Sequence, residues 1–261
     1  MLEDLSYRRQ QVIDVDAAVV GVSRLRWTSV EPGMDKEDVR RLMKERSFDI
    51  VPVENGENDV TRYYQTATWG NFSDIEAHPL GYDNVIAQHT PLDTVIERLA
   101  TTGRYHFFLS HENRITGLVS IVNLNCREAR VHIFGLLCEL EIQLAHLIDD
   151  HLMSDDISVD DVLAEVKNDT ERRYRTDKAD GVDRELTEYL HLSEMIKLIR
   201  KSGLHETLRY ESKTQFANDF NRLVKLRNAV MHPVRTLVNS PERAQKVHRD
   251  IEVIERALFH L

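Results

Sequence analysis

The chain has 261 residues, 41% hydrophobic and 30% charged, with a formal net charge of -10. Such a composition belongs to a folded soluble protein and excludes a disordered one; the acidic balance excludes sequence-blind coating of nucleic acid, which needs cationic surface to displace counterions. Its two cysteines, Cys126 and Cys138, are too few for a disulfide framework or a cysteine-rich metal site, so a reducing, cytoplasmic setting is expected. The opening MLEDLSYRRQ carries acids and no apolar segment, so no signal peptide is read there. The longest apolar run, VHIFGLLCELEIQL, is interrupted by Glu139 and Glu141 short of membrane-spanning length.

In chain order, the first half contains an internal repeat. The segment 42-LMKERSFDIVPV-53 matches 99-LATTGRYHFFLS-110, with Phe48 on Tyr105, and 60-VTRYYQTATW-69 matches 115-ITGLVSIVNL-124. The loop VENGEND is two residues longer than its counterpart, a length change placed where it costs least. Asp35 is expected to open the helix of the first copy. Thr90 as N-cap, Pro91 at the first helical position and Asp93 behind it do so in the second. Each helix runs into two short strands joined by a polar turn, and the 70–90 segment is expected to connect the copies. One such unit cannot bury its apolar strand faces alone; two packed together can.

From about residue 128 the pattern turns helical throughout. Phe134, Leu137, Leu140, Leu144, Leu147 and Leu152 recur at steps of three to five, as an amphipathic helix requires. A second helix is expected from Ser158 through the charged 171-ERRYRTDK-178, and a third over roughly 184–201, stopping near Gly203. A fourth is expected from about 213 to 232, and a last one opened by Ser240-Pro241-Glu242. No Gly- or Ser-rich linker separates the halves, so the first of these helices is expected to leave the repeat directly.

The paired helix–strand–strand units, with FDIVPV in one and ITGLVSIVNLN in the other, resemble tandem cystathionine-β-synthase (CBS) domains over roughly residues 12–128. The resemblance implies a pseudo-symmetric pair with clefts for adenosine-containing ligands such as AMP, ATP or a related nucleotide. The family pattern in the second strand is Gly, apolar, any residue, Thr or Ser, two more, then Asp, the acid holding ribose hydroxyls and the hydroxyl residue approaching phosphate. Here Gly117, Ser120 and Asn123 occupy those positions, with Thr116, Ile50 and Pro52 completing the implied ligand set. Asn123 keeps the hydrogen-bonding capacity of the family acid without its charge. The first copy departs further, with Arg62, Gln65 and Thr68, so the second copy is the expected ligand site; a pair with two degenerate clefts, serving as a dimerisation scaffold, is the alternative.

In 222-RLVKLRNAVMHPVRTL-237, an arginine and a histidine five positions apart lie about 140° apart on an ideal helix. Pro233 disfavours helical geometry at His232, which is expected to sit where the helix ends and to swing toward the Arg227 side. A planar permanent cation and an imidazole supply what phosphodiester cleavage needs, charge stabilisation and proton handling. An ion-paired bundle arginine beside a helix-ending histidine is the plain structural alternative. Residues 129–261 resemble the HEPN superfamily, whose motif is Arg, four to six residues, His, often written RN…H. That resemblance implies a dimeric helical bundle cleaving RNA without a metal, in defence or toxin–antitoxin settings, with Arg227 and His232 as the catalytic pair and Asn228 orienting the cleft; some members have lost activity. Arg222, Lys225, Arg235 and the ERRYRTDK segment either attract phosphate or form a solvated helix face. Glu139, Glu141 and Gln143 lie on the first bundle helix, where an acid could orient Arg227; a solvent-facing role is the alternative for each. His146 and Asp150, one turn apart, do not complete a metal site, and Trp27 and Trp69 are expected to pack the repeat.

The expected fold class is α+β: an N-terminal tandem CBS-like α/β module (1–128, repeats about 12–72 and 73–128), then an all-α HEPN-like bundle (129–261). The expected function is a homodimeric, metal-independent endoribonuclease controlled by a nucleotide effector, with RNA as substrate, no metal and no membrane. The alternatives are an inactive nucleotide-binding protein that recruits a partner, and a dimerisation element only.

Overall fold

Strands and helices share the chain unevenly: every strand lies before residue 121, and long helices dominate after it. The fold is α+β. The computed structural model describes residues 15–55, 59–154 and 156–261. The opening decapeptide, the start of the first repeat near residue 12 and the tip of the VENGEND loop lie outside the described residues. Two compact units divide the chain, one of residues 15–129 with 238–245 and one of residues 130–237 with 246–261.

The first unit runs α1 (Ala17–Val20), β1 (Val22–Ser23), α2 (Lys36–Arg46), β2 (Ile50–Asn55), β3 (Asp59–Thr68), β4 (Asn71–Pro79), β5 (Val85–Ala87), α3 (Leu92–Thr102), β6 (His106–His111) and β7 (Arg114–Ser120). A helix–strand–strand sequence thus occurs twice, as α2-β2-β3 and α3-β6-β7. The strands form a three-stranded sheet ordered β2-β3-β4 and a four-stranded sheet ordered β1-β7-β6-β5. Val39, Met43, Val51 and Ile75 pack with Val30 into one core, while Ile50, Val60 and Tyr63 join Phe108 in a second that links the two sheets.

The 70–90 segment is more than a connector, because it contains β4 and β5. Gly70 at φ 78° supplies the left-handed turn after β3, and β4 then pairs antiparallel with β3. Only Ile75 is fully buried along β4, so the alternation that marks a strand is too sparse to see. β5 pairs parallel with β6, which requires a crossover, and α3 provides it. The helix starts differ too. Asp35 accepts from the Glu37 N–H at 2.9 Å as expected, but Thr90 gives its hydroxyl to the Ala87 carbonyl at 2.7 Å. Pro91 therefore stands at the N-cap of α3 without a side-chain bond.

Beside the second core lies an aromatic group. Tyr63 stacks on His78 at 5.4 Å and meets the edge of His106 at 5.1 Å, and its hydroxyl accepts from Asn84 Nδ2 at 3.1 Å. His106 is 4% exposed, and both its ring nitrogens are buried without a hydrogen-bond partner.

The second unit contains most of α4 (Arg127–Met153), then α5 (Val159–Glu165), α6 (Asn168–Ala179), α7 (Leu192–Ser202), α8 (Lys213–Met231) and most of α9 (Pro241–His260). By length and composition α4 would suffice to cross a membrane, but Leu137, Leu140, Leu144 and Ile148 are fully buried within the protein, as in the central helix of a bundle. The expected second helix is two, broken at Val166 and Lys167. The expected third is a short 3-10 turn, Leu186–Tyr189, followed by α7. One buried side chain accounts for both breaks. Glu194 accepts from the Lys167 N–H at 2.9 Å, the Thr170 hydroxyl at 3.1 Å and the His191 N–H at 2.9 Å, so it serves the first turns of α6 and α7 together. Burial raises its pKa, but these hydrogen bonds win and hold it below the ordinary value.

Candidate functional sites

In the first unit, a cavity of about 320 Å³ opens beside β2 and the end of β7. Trp27, Trp69 and Phe48 give it aromatic walls, Ile50 and Pro52 line the β2 side, and Ser120 and Asn123 supply polar groups. Four of the six ligand residues expected from sequence are thus gathered in one cleft from segments some seventy positions apart. Both tryptophans, expected to pack the repeat, also line it.

Asp49 sets the position of Trp69. Its Oδ1 accepts from the Thr66 hydroxyl at 2.7 Å and from the Gly70 N–H at 2.6 Å, tying down the turn between β3 and β4. Trp69 stacks on Tyr105 with ring centroids 4.6 Å apart and planes 14° apart. Trp27 is fixed by its indole N–H, which donates to Glu54 at 2.9 Å. Asn123 is held as well, its Oδ1 accepting from the Ser120 N–H at 2.8 Å and hydroxyl at 2.9 Å. This caps the 3-10 turn Ile121–Asn125 and leaves the Asn123 amide N–H groups as its donors toward the cleft.

Gly117 and Thr116 do not line this cleft. Thr116 donates to Gln88 Oε1 at 3.0 Å and borders a separate, open concavity with Arg24 and Glu54. Gly117 pairs with Ser23 of β1, and a Cβ there would stand 2.5 Å from the Val22 carbonyl oxygen. Its glycine is explained by close strand approach. Gly117→Ala is expected to destabilise this unit by roughly 1–3 kcal/mol, read as a lower urea midpoint followed by tryptophan fluorescence.

In the second unit, α8 presents Arg227 toward α4. Arg227 Nε lies 2.6 Å from Glu141 Oε1, the two side chains 34% and 23% exposed. Of the acids on α4 considered from sequence, Glu141 is therefore the one that meets the arginine, while Glu139 accepts from Gln143 at 3.0 Å. Burial raises the Glu141 pKa, with Arg227 and more weakly His191 pulling the other way. His191, placed near Glu141 by the N-terminus of α7, carried no signal in the sequence. The Arg227–Glu141 contact engages the inner guanidinium nitrogen; the terminal pair makes no hydrogen bond among the described residues. Cys138, one turn before Glu141, has its thiol pKa raised by burial and by Glu141.

α8 ends at Met231, and His232 leaves the helical region at φ -106°, ψ 88°. The Arg235 N–H returns to the His232 carbonyl at 2.9 Å, so 232-HPVR-235 is a tight turn with proline at its second position, where a fixed φ suits it. The His232 side chain is exposed and makes no hydrogen bond or ion pair among the described residues; Asn228 is exposed on α8 without one either. Arg222 is taken up by Asp219 and Asp250. In ERRYRTDK, Arg172 and Arg173 pair with Asp169 and Arg175 pairs with Glu171 along α6, a solvated helix face. Among the described residues, no group of three or more His, Cys, Asp or Glu side chains could hold a metal ion.

Comparison with known proteins supplies no relative: no family model, curated protein or solved structure matches the chain.

Proposed function

We propose that this protein is a cytoplasmic, homodimeric endoribonuclease whose activity responds to an adenine nucleotide bound in the first unit. The observation that carries the catalytic half is the division of labour on Arg227. Its inner nitrogen is ion-paired with Glu141, which leaves the outer fork for two phosphoryl oxygens. His232, solvent-facing and unengaged at the helix end, is the proton carrier. It takes the proton as the RNA 2′-oxygen bonds to phosphorus. The bond to the 5′-oxygen breaks, and the imidazolium returns the proton to that leaving oxygen. The products are a 2′,3′-cyclic phosphate and a 5′-hydroxyl end. Incubation of the full chain with RNA in the presence of EDTA, with the product ends identified, tests this reading; intact RNA under all nucleotide conditions would refute it.

A second reading, a nucleotide-binding protein that recruits a partner without cutting RNA, is favoured by the cleft itself. Its aromatic walls suit a nucleobase and Asn123 suits a ribose hydroxyl. Calorimetry with AMP, ATP and cyclic dinucleotides is expected to show binding, and Trp69→Ala is expected to weaken it by about 1–3 kcal/mol if a base stacks there. Equal affinity in wild type and Trp69→Ala would place the ligand elsewhere. For the nucleotide to control cleavage it must bind one conformational state more tightly than another. A nucleotide that binds and leaves cleavage unchanged would separate the two activities.

A further inference from the structure

Arg130 is the only buried arginine among the described residues, 6% exposed, and its guanidinium donates to backbone carbonyls. One terminal nitrogen donates to the carbonyls of Ala229 at 2.9 Å and Val230 at 3.3 Å, and the other to the carbonyl of Arg235. The first two belong to the last turn of α8, whose carbonyls have no partner further along the helix. The third lies on the far side of the turn that His232 opens. A single fork therefore grips the chain before and after His232, and its positive charge sits at the negative end of the helix.

We propose that Arg130 is a positioning residue for His232. It closes the segment 229–235 into one geometry, so that the imidazole leaves α8 in a fixed direction rather than sampling many. This inference rests on the reading of His232 as the proton carrier. Proline alone does not secure that outcome. Pro233 ends the helix but leaves the carbonyls of its last turn without intrahelical donors, and Arg130 supplies donors to two of them from α4. Neither charge nor size is sufficient for this role. Lysine carries the charge to one point and cannot reproduce a planar fork with donors on two sides.

Arg130→Lys tests the proposal. The variant is expected to keep its far-ultraviolet circular dichroism, while the Arg235 amide, whose N–H closes the turn, exchanges with solvent at least about tenfold faster. Its kcat for a short RNA should fall on the order of 10- to 100-fold with KM nearly unchanged, as for a displaced reacting group. Unchanged exchange at that amide, unchanged kcat, or a kcat loss that only follows the fraction unfolded would each overturn it. Two further measurements do not depend on how well the lysine variant folds. In the wild type, the Arg130 terminal N–H protons are expected to show restricted rotation by NMR; free rotation would refute the clamp. Millimolar methylguanidinium is expected to restore part of the turnover of Arg130→Ala, and no recovery in a folded variant counts against positioning. If the wild type cuts no RNA, the endoribonuclease reading fails on its own, and exchange at the Arg235 amide alone decides the clamp.

Discussion

Replacing His232 with alanine is expected to slow RNA cleavage by about 10²–10⁴-fold, the range for removing a positioned proton carrier, with stability within about 0.5 kcal/mol of wild type because the side chain is exposed and unengaged. Arg227→Ala is expected to lose about 10²–10³-fold through missing charge stabilisation at the phosphoryl oxygens. Unlike the histidine variant it should also cost some stability, since it leaves the half-buried Glu141 without its cation. That asymmetry distinguishes the proposed roles from a structural ion pair beside an ordinary helix end. Under the structural alternative Arg227→Ala would lower the unfolding midpoint and neither substitution would alter RNA turnover. The measurements are single-turnover cleavage and denaturant unfolding on the same preparations; cleavage untouched by both substitutions would remove Arg227 and His232 from the chemistry.

The second large effect concerns acid stability. His106 has its pKa pushed down to about 3, first by burial and then by the nearby charges of Arg104 and His78; the phenol of Tyr63 is the other titratable group in contact with it. The native state therefore requires the neutral ring. An unfolded chain binds a proton there below about pH 6.5, so the contribution to stability is complete above that pH. It is lost as pH falls, at up to about 1.4 kcal/mol per unit until roughly pH 3. Carboxylates held below the ordinary value, such as Glu194, lose their contribution only at lower pH. Those raised by burial, Glu141, Asp149 and Asp250, bind protons more readily when folded and oppose the loss. The share of the histidine is therefore read from the difference between wild type and His106→Phe. His106→Phe is expected to flatten that part of the curve. It should also raise stability at neutral pH by about 1–3 kcal/mol, since two unpartnered buried nitrogens disappear. Urea midpoints at pH 7 and pH 5 decide it, and an equal drop in both proteins would assign the acid sensitivity to other groups.

What the sequence disclosed follows the range of the interactions involved. Helix ends set by neighbours were legible: Asp35 caps α2, Ser240 accepts from the Arg243 N–H ahead of α9, and Pro233 stops α8 next to His232. The cleft was half legible, because Ile50, Pro52, Ser120 and Asn123 belong to strand and turn positions of a repeated unit. Gly117 and Thr116 follow the same motif, yet the pairing of β1 with β7 claims one and Gln88 the other. Interactions set by distant residues were hidden. Nothing local in VKNDT or LHLSE indicates that Glu194 interrupts two helices, and nothing around Arg130 indicates that its partners are carbonyls about a hundred residues away.

β1 has a consequence for the repeat as a unit of inheritance. It precedes the helix and strands of the first copy in sequence but completes the sheet of the second, pairing Val22 with Leu118 and Ser23 with Gly117. Just before it, the Ala17 and Ala18 N–H groups reach the carbonyls of Thr90 and Gln88. Each copy is thus incomplete when severed from the other, and neither could be lost, exchanged or moved to another protein without taking an edge from its twin. A repeated unit joined in this way is expected to keep or lose its fold as one body, because an edge of the second sheet is supplied from ahead of the first copy.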